Sequence, residues 1–379
     1  MTPPVRQTIL LIDDDRHITA ALTMALECTG RTVVACSDIE AAEIALHCFA
    51  FTDVVTDVQL SGLFGFEGLH FVDRIRATVP EARMVLMTGY ASDVLRGAAA
   101  GYGASALLCK PFDVSDLEAV LGKRERDASP YELIRVPSVD EILAEGRIET
   151  AFQPIVSMTG QDGEPFAFEA LARLRGGWPL AGIDTLFEYA VRRGRAADLN
   201  RAAITTAIES AAALPQQSLV FINVDPPTFS DPRLARQVVA AAARSGIALQ
   251  RIVLEVTERA SLGEDAVCLA TFKGLREAGV RFALDDHGSA YSHLSTISTI
   301  RPSFIKISSA FGTDFELDDD KQRVIRNMQA LAQDFGCSTV LEGIETQATA
   351  TAAGMLGIEL AQGYFFSVPR AASHWSVAA

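Results

Sequence analysis

The stretch FALDDHGSAY, residues 282–291, begins as an apolar run and reaches two adjacent carboxylates, Asp285 and Asp286. Neighbouring side chains of a β-strand point to opposite faces, and like charges placed side by side cost free energy unless water or a cation takes them up. We therefore expect the end of this strand to face a bound cation.

Seven further apolar runs accompany this one between residue 139 and the C-terminus, and most of them are separated by helical stretches. This alternation predicts strands joined by helices, and eight such strands predict a (β/α)8 barrel of the TIM type. In chain order the eight runs are AFQPIV, PFAFEAL, LVFINV, RIVLEV, VRFALDD, FIKIS, STVLEG and LAQGYFF.

Polar residues close seven of these runs. The carboxyl ends of the strands in such a barrel face one mouth, so residues far apart in the sequence converge there. A single polar residue at a strand end is commonplace, but four or five carboxylates around one mouth repel each other unless divalent ions lie among them. Oxygen ligands without His or Cys favour Mg2+ or Mn2+. The residues are Glu169, Asn223, Glu255, Asp285 with Asp286, Lys306, Glu342 and Gln362.

Residues 8–122 alternate short apolar runs with amphipathic stretches, which predicts βαβ units and a doubly wound, flavodoxin-like parallel sheet. The strand candidates are TILLI, TVVAC, DVVTD, RMVLMTG and ALLCKP. Ligands of such sheets bind at the carboxyl ends of the strands. The polar residues found there are Asp13, Asp14, Asp57, Thr88 and Lys110.

The composition limits the partners of the chain. It has 33 Lys and Arg residues against 48 Asp and Glu residues, a net charge of −15, which argues against nucleic-acid and anionic-membrane binding. No uncharged apolar run approaches the roughly 18 residues of a membrane span, and we expect a cytoplasmic protein. The six cysteines show no zinc-binding spacing, so we expect reduced thiols.

Two domains are predicted, at residues 1–122 and 139–379, with a linker at 123–138. The run GKRERDAS, residues 122–129, is charged and is followed by Pro130, as expected of a helix end and linker. Ser138 and Glu141 form a predicted capping box, which marks the first helix of the second domain.

The second domain resembles the EAL-domain family of cyclic di-GMP phosphodiesterases from about residue 139 to the C-terminus. The resemblance rests on eight motifs in the family's order and approximate spacing: FQPIV, EALAR, FINVDP, LEVTE, DDHGSAYSHL, FIKIS, LEGIE and AQGYFFS. It implies a metal-dependent hydrolase that opens cyclic di-GMP to linear pGpG, acting as a homodimer or higher homo-oligomer. No GGDEF-like stretch is found, so we do not expect synthesis of the dinucleotide.

The resemblance also implies roles for the residues at the mouth. Glu169, Asn223, Glu255 and Asp285 match metal ligands, and Asp285 bridges to a second ion that Asp286 helps to hold. Two such ions can clamp a phosphodiester. Lys306 matches the lysine that positions the attacking water, and Glu342 matches the general base or a carboxylate of the second metal.

On the substrate side, Leu171 and Arg173 complete the ExLxR pattern, in which the arginine meets a phosphate. Gln362 matches a residue that supports the metals and their water network. Glu258 and Glu345 match carboxylates that hold the loops around the mouth.

This chain departs from the family pattern in two places. Ser308 stands where the family has Asp after the lysine and isoleucine of strand six, so one outer carboxylate is missing. The loop after strand five has His287, Ala290 and His293 in place of Phe, Gly and Ser, and we do not expect the histidines to bind metal. The departures leave two alternatives to the enzyme: a receptor that only binds cyclic di-GMP, and a scaffold that binds no dinucleotide.

The first domain resembles the receiver domain of response regulators over residues 7–122, beginning at LLIDDDRHI. The resemblance implies that Asp57 accepts a phosphoryl group from a histidine kinase, and that Asp13 and Asp14 hold Mg2+ with it. Thr88 and Lys110 meet the phosphate oxygens, ahead of a Lys-Pro bond that the family often holds in the cis form.

The receiver also departs from its family. Leu107 stands where an aromatic residue is usual, and Ser61 where proline is common. Because a rotating aromatic usually reports phosphorylation to the outer face, we expect either signal relay through another surface or a blunted relay. Two further acidic residues, Asp15 and Asp53, are interpreted as solvated or helix-capping.

Overall fold

The computed structural model describes residues 7–27, 30–60, 67–89, 93–122, 131–159, 165–257, 266–287, 297 and 300–376. The chain forms two compact units. Unit 1 comprises Met1–Gly146 together with Gly176–Gly194, and unit 2 comprises Arg147–Arg175 together with Arg195–Ala379. Among the described helices, none combines the length and the apolar character that crossing a bilayer requires.

Unit 1 contains a parallel sheet in the order β5-β4-β3-β1-β2-β6. The strands are β1 (Gln7–Ile12), β2 (Arg31–Cys36), β3 (Asp53–Asp57), β4 (Arg83–Thr88), β5 (Ala106–Cys109) and β6 (Glu132–Arg135). The helices are α1 (Arg16–Ala25), α2 (Ile39–Cys48), α3 (Glu67–Thr78), α4 (Asp93–Gly101), α5 (Val114–Leu121), α6 (Val139–Ala144) and α7 (Ile183–Arg192). The central strands are buried, as expected of a sheet covered on both faces. The predicted doubly wound fold is confirmed.

Strand β6 lies in the segment that the sequence assigned to the linker. It pairs with β2, so that Thr32 is opposite Glu132 and Val34 is opposite Ile134. A four-residue edge strand with charged residues at both ends and a half-exposed Leu133 has too little apolar alternation to be distinguished from a linker. The receiver-like sheet is therefore one strand wider than predicted.

The interpretation of Asp53 as solvated or capping is wrong. Asp53 is fully buried, and its carboxylate accepts hydrogen bonds from Arg83 Nε and Gln7 Nε2, both at 2.8 Å. Gln7, Arg31 and Arg83 also donate to the carbonyl oxygens of Leu121, Gly122 and Val120, respectively. The network therefore caps the C-terminus of α5, where backbone carbonyls lack helical partners. Asp15 does cap α1, accepting from His17 N.

Unit 2 contains the predicted eight-stranded barrel. Its strands are β7 (Ile148–Ser157), β8 (Pro165–Leu174), β9 (Leu219–Val224), β10 (Ile252–Thr257), β11 (Arg281–His287), β12 (Phe304–Ile307), β13 (Ser338–Leu341) and β14 (Leu360–Ala361). The pairing of β14 with β7 closes the barrel, and a short strand β15 (Arg370–Ala371) also pairs with β7.

Strand β7 departs from the regular (β/α)8 pattern. It runs antiparallel to both β8 and β14, whereas β8 to β14 are mutually parallel. Only residues 158–164 separate β7 from β8. A connection this short joins antiparallel strands, since a parallel crossover needs a dozen or more residues.

The remaining helices of unit 2 are α8 (Ala196–Ser210), α9 (Pro226–Phe229), α10 (Leu234–Ser245), α11 (Ala266–Glu277), α12 (Ser309–Gly312), α13 (Asp319–Asp334) and α14 (Gln347–Met355). Aromatic side chains pack between strands and helices, with Phe272 stacked on Phe229 at 4.3 Å between ring centroids and tilted against Phe282. These rings belong to a large buried cluster outside the strands, distinct from the cluster inside the barrel.

Asp231 anchors the segment that follows β9. Its carboxylate, 8% exposed, binds Arg201 of α8 and also accepts from Arg233 Nη2 at 2.8 Å. The Arg233 hydrogen bonds, aided by the charge of Arg201, lower the pKa of Asp231 to about 2. The segment 225–233 is thereby fixed to α8, directly after the strand that carries Asn223.

We predict that Asp231→Asn lowers the free energy of unfolding by about 2 kcal/mol at pH 7, because hydrogen bonds to a charged carboxylate are lost. A depressed pKa contributes stability above the unfolded value, near 3.8, and the contribution disappears as the pH falls toward 2. Urea unfolding of both proteins between pH 7 and pH 3 measures the difference. A gap that stays constant or widens toward pH 3 would contradict the assignment.

Candidate functional site in the barrel mouth

The polar residues at the mouth follow from the alternation of the strands. Inside the barrel lies a buried cluster that includes Ala167, Phe221, Val253, Ala283, Phe304, Val340 and Leu360. Two positions after each of these residues comes, in the same order, Glu169, Asn223, Glu255, Asp285, Lys306, Glu342 and Gln362. Because residues i and i+2 of a strand share a face, all seven site residues point toward the lumen.

Lys306 lies at the centre of the site, and its side chain is 1% exposed. Its Nζ atom is 2.7 Å from Glu342, 2.9 Å from Glu255, 3.3 Å from Asp285 and 3.4 Å from Glu169. Four carboxylates from four strands therefore surround one ammonium group. If all are ionised, four negative charges oppose one positive charge, and three remain uncompensated.

Burial and charge shift the proton affinities of these groups. Burial, with Glu169 and Asp285 nearby, raises the pKa of Glu255 well above its usual value even though Lys306 opposes the shift. Burial also raises the pKa of Glu342 to about 7. The pKa of Lys306 is raised despite burial, because the surrounding carboxylates favour its charged form. The site thus has more acidic groups than the ammonium group of Lys306 can hold ionised.

Amide side chains fix the carboxylate of Glu169. Gln362 Nε2 donates to Glu169 Oε2 at 2.6 Å, and Asn223 Nδ2 donates to Glu169 Oε1 at 3.1 Å. Burial alone would raise the pKa of Glu169, but Lys306 and these two amides together lower it. Glu169 is therefore held as an oriented, ionised carboxylate.

The donor set fits a divalent metal ion. Glu255 Oε2 is buried, and it has no hydrogen-bond partner within the described part of the chain. A buried carboxylate oxygen without a partner carries a desolvation cost that a bound cation would remove. Carboxylate and amide oxygens from Glu169, Asn223, Glu255 and Asp285 are ligands that Mg2+ and Mn2+ accept.

Gln153 belongs to the site but escaped the sequence analysis. It lies on β7 opposite Glu169 and accepts from Gln362 Nε2 at 3.1 Å, while its own amide donates to the carbonyl oxygen of Ser367. Gln153 precedes the interior residue Ile155 by two positions, because β7 runs in the opposite direction. The only available signal was a polar residue within the apolar run AFQPIV.

Two glycines let the backbone pack closely behind the site. A Cβ atom at Gly312 would overlap the carbonyl oxygen of Glu342, and one at Gly363 would overlap the backbone of Ile344. These contacts fix the chain beside Glu342 and Gln362. Ser308 stands where the family pattern has Asp. It is the N-cap of helix α12, and its hydroxyl accepts from Ala310 N at 3.5 Å.

The other predicted residues differ in how they are placed. Leu171 and Arg173 share a strand face with Glu169 and are half-buried, with Arg173 Nη1 donating to the carbonyl oxygen of Ala172. Glu345 is exposed. Glu258 lies outside the described residues, as does the side chain of Asp286.

Unit 1 contains a second acidic site. One carboxylate oxygen from each of Asp13, Asp14 and Asp57 lies within 4.8 Å of the others. Lys110 Nζ is 2.6 Å from both Asp13 and Asp57. Thr88 is buried at the end of β4, and the Lys110–Pro111 peptide bond is cis. The strand ends thus bring the five predicted receiver residues to one edge of the sheet.

In this second site too, burial and neighbouring charges shift the pKa values of the ionisable groups. Burial raises the pKa of Asp13, although its hydrogen bond from Lys110 opposes the shift. Burial would lower the pKa of Lys110, but its hydrogen bonds to Asp13 and Asp57 outweigh that effect and raise it. Lys110 therefore stays charged beside Asp57, where it can pair with an oxygen of an added phosphoryl group.

Comparison with protein families identifies both domains. A model described as the EAL domain matches residues 138–369, and one described as the response regulator receiver domain matches residues 9–122. Because the first model covers more than half of the chain, the chain belongs to the EAL-domain family, with a receiver domain ahead of it.

Individual relatives share one or both domains. The "Cyclic di-GMP phosphodiesterase RocR" of Pseudomonas aeruginosa is 26% identical over 391 residues, covering 97% of each chain. The "Uncharacterized protein y4lL" of Sinorhizobium fredii is 30% identical over 66% of this chain, which spans only 30% of that relative. Among solved structures, the manganese and cy-diGMP complex of Klebsiella pneumoniae BlrP1 is 26% identical with a TM-score of 0.53, covering 60% of this chain and 57% of that one.

We predict that Lys306→Met destabilises the metal-free protein by about 3 kcal/mol or more at pH 8, because the four carboxylates around Nζ lose the ammonium group that they share. Adding Mn2+ should then raise the melting temperature of the variant more than that of the wild type. Thermal unfolding with and without Mn2+ measures both effects.

Lys273→Met is the matched control, since Lys273 is exposed and lies 3.9 Å from Glu277 on the same helix. We expect no measurable change in that variant. If Lys306→Met were as stable as the control without metal, the carboxylates around it would not be ionised as described.

Proposed function

We propose that this chain hydrolyses one phosphodiester bond of cyclic di-GMP, giving linear pGpG, with two divalent ions, Mg2+ or Mn2+, at the barrel mouth. The observation that carries the proposal is the ring of four carboxylates around the buried ammonium group of Lys306 in a member of the EAL-domain family. The near full-length match to RocR supports the same activity.

In this proposal, Glu169, Asn223, Glu255 and Asp285 hold the ions, and Asp286 contributes to the second one. Bound ions of this kind activate water and stabilise charge on a phosphodiester. Because cations reverse the local field, an acidic protein can accept an anionic substrate. Gln362 and Gln153 keep Glu169 oriented through the hydrogen bonds described above.

Lys306 and Glu342 are the residues proposed to balance charge at the phosphate and to take a proton from water. Lys306 Nζ lies 2.7 Å from Glu342, so the ammonium can orient that carboxylate and balance charge at the phosphate. Glu342 is the proposed base that takes a proton from the attacking water. Leu171 and Arg173 extend the face of Glu169 along β8, where the guanidinium can meet a substrate phosphate.

The receiver is the proposed control element. A histidine kinase supplies a phosphoryl group to Asp57, with Asp13 and Asp14 binding Mg2+ and with Thr88 and Lys110 meeting the phosphate oxygens. The three carboxylates and the lysine at one sheet edge support this assignment. The domain limits, the homo-oligomeric state and the cytoplasmic location remain predictions from the sequence.

One observation favours a second candidate, a receptor that binds cyclic di-GMP without cleaving it. Ser308 replaces an acidic residue of the family pattern, and its hydroxyl accepts the backbone N–H of Ala310 as a helix cap. If the chain is such a receptor, it binds the dinucleotide and forms no pGpG.

We predict that the purified protein converts labelled cyclic di-GMP to pGpG in Mg2+ or Mn2+. Glu169→Gln should remove an oriented metal ligand, and Glu342→Gln should remove the base, each lowering turnover by roughly 100-fold or more. Product is measured by chromatography.

The control variant for this assay is Glu209→Gln, which loses an exposed carboxylate paired with Arg244 and should keep full turnover. Wild-type turnover no higher than that of Glu169→Gln and Glu342→Gln would reject the hydrolase. Binding of the dinucleotide by such an inactive wild type would then identify the receptor.

For the receiver, we predict that Mg2+ and beryllofluoride bind to the wild type and that Asp57→Asn abolishes the beryllofluoride adduct. The reason is that beryllium bonds to the carboxylate oxygen that would carry the phosphoryl group. Fluorine-19 NMR of the bound adduct is the measurement. Asp116→Asn, an exposed residue of α5, is the control and should bind normally. An adduct of equal intensity in Asp57→Asn would show that another residue is the acceptor.

A further inference from the structure

The segment Gly176–Gly194 belongs to unit 1, although the EAL-domain model spans it in the sequence. The segment contains helix α7, and glycines with left-handed backbones lie at both of its ends. These are Gly176 and Gly177, with φ of 81° and 78°, and Gly194, with φ of 66°. Such dihedral angles favour glycine, so the chain turns sharply on entering and on leaving the segment.

A hydrogen bond attaches α7 to the N-cap of α2. Tyr189 is fully buried, and its hydroxyl donates to Asp38 Oδ2 at 2.6 Å. The other oxygen of Asp38 accepts from Ala41 N at 2.9 Å and so caps α2. One carboxylate therefore holds both the start of α2 and the tyrosine of α7. A hydrogen bond to a charged acceptor is among the stronger kinds.

Two arginines add charge contacts between the same helices. Arg192 Nη1 lies 2.8 Å from Glu43, and Arg193 Nη1 lies 3.3 Å from Glu40. Glu43 also pairs with Arg74 of α3, so its carboxylate joins three helices. The basic C-terminal end of α7 thus complements an acidic face of α2, and contacts from Tyr189, Arg192 and Arg193 hold the two helices together there.

The Asp38 attachment is close in the chain to the acidic site of the receiver. The backbone N–H of Asp13 donates to the carbonyl oxygen of Cys36 at 3.3 Å, and Asp38 follows Cys36 by two residues. At the other end, residue 175 joins the segment to β8, the strand that carries Glu169 and Arg173. The segment therefore connects a receiver helix to a strand of the barrel site through a short length of chain.

We infer that Gly176–Gly194 is the element through which the receiver acts on the barrel site, with the Tyr189–Asp38 hydrogen bond as its principal attachment. A change at Asp13 or Asp57 that displaces the end of β2 moves Asp38 and α7 with it. The displacement then reaches β8 through residues 175–182 and alters the alignment of Glu169 and Arg173. The regulatory part of this inference rests on the proposed function.

The test compares hydrogen–deuterium exchange of residues 165–174 and 183–192 with and without Mg2+ and beryllofluoride, in the full chain. In the wild type we expect exchange in both segments to respond. Tyr189→Phe, which removes only the hydroxyl, should speed exchange of 183–192 by about tenfold and remove the response of 165–174. Asp38→Asn should act in the same way, because asparagine keeps the helix cap but not the charge.

Glu188→Gln is the control, since Glu188 is an exposed residue whose ion pair, with Arg192, lies within α7. It should leave the response of 165–174 intact. The turnover of cyclic di-GMP, measured in the same samples, should respond to beryllofluoride in the wild type and the control but not in Tyr189→Phe or Asp38→Asn.

Two results would overturn the inference: no exchange response of 183–192 in the wild type, or a response of 165–174 that persists unchanged in Tyr189→Phe. The exchange readout needs no catalysis, so failure of the proposed function is recognised separately. A wild type that forms no pGpG but shows the expected exchange pattern would refute the hydrolase and support the coupling.

Discussion

A single buried ammonium group, that of Lys306, determines how the barrel mouth is built. Four carboxylates from four strands lie within 3.4 Å of its Nζ atom. Each can reach it only if its strand ends at the same level and presents the correct face. The closed barrel supplies both conditions, because an interior residue two positions earlier fixes the face of every site residue. The electrostatics of the site thus depend on the register of the sheet.

The same alternation explains why so much of the site could be predicted. Each strand of the barrel is an apolar run in which a polar residue marks the mouth, so Glu169, Glu255 and Asp285 are visible without a structure. Gln153 was missed because its strand runs antiparallel, which places the relevant position before the interior residue. Local patterns record which residues face inward, but strand direction depends on the length of the connections.

Other misses have a different physical origin. In the sequence, Asp53 is simply a polar residue at the start of a strand. In the structure it belongs to a buried hydrogen-bond network with Gln7, Arg31 and Arg83, which are distant in the chain. The placement of α7 in unit 1 likewise depends on Asp38, which is separated from Tyr189 by 151 positions. Buried polar networks and helix docking arise from contacts between remote residues, and no periodicity within one segment records them.

The two acidic sites differ in how far the negative charge of their carboxylates is compensated. In the receiver, Asp13 and Asp57 share Lys110, whose side chain is 17% exposed, so water screens the remaining charge. In the barrel, four carboxylates share a lysine that is 1% exposed, and burial raises the pKa of Glu255 and Glu342. The barrel site therefore has more negative charge that is not compensated by a lysine. It follows that divalent ions should stabilise the barrel more than the receiver, because two carboxylates with a raised pKa, Glu255 and Glu342, would exchange protons for metal there, against Asp13 in the receiver.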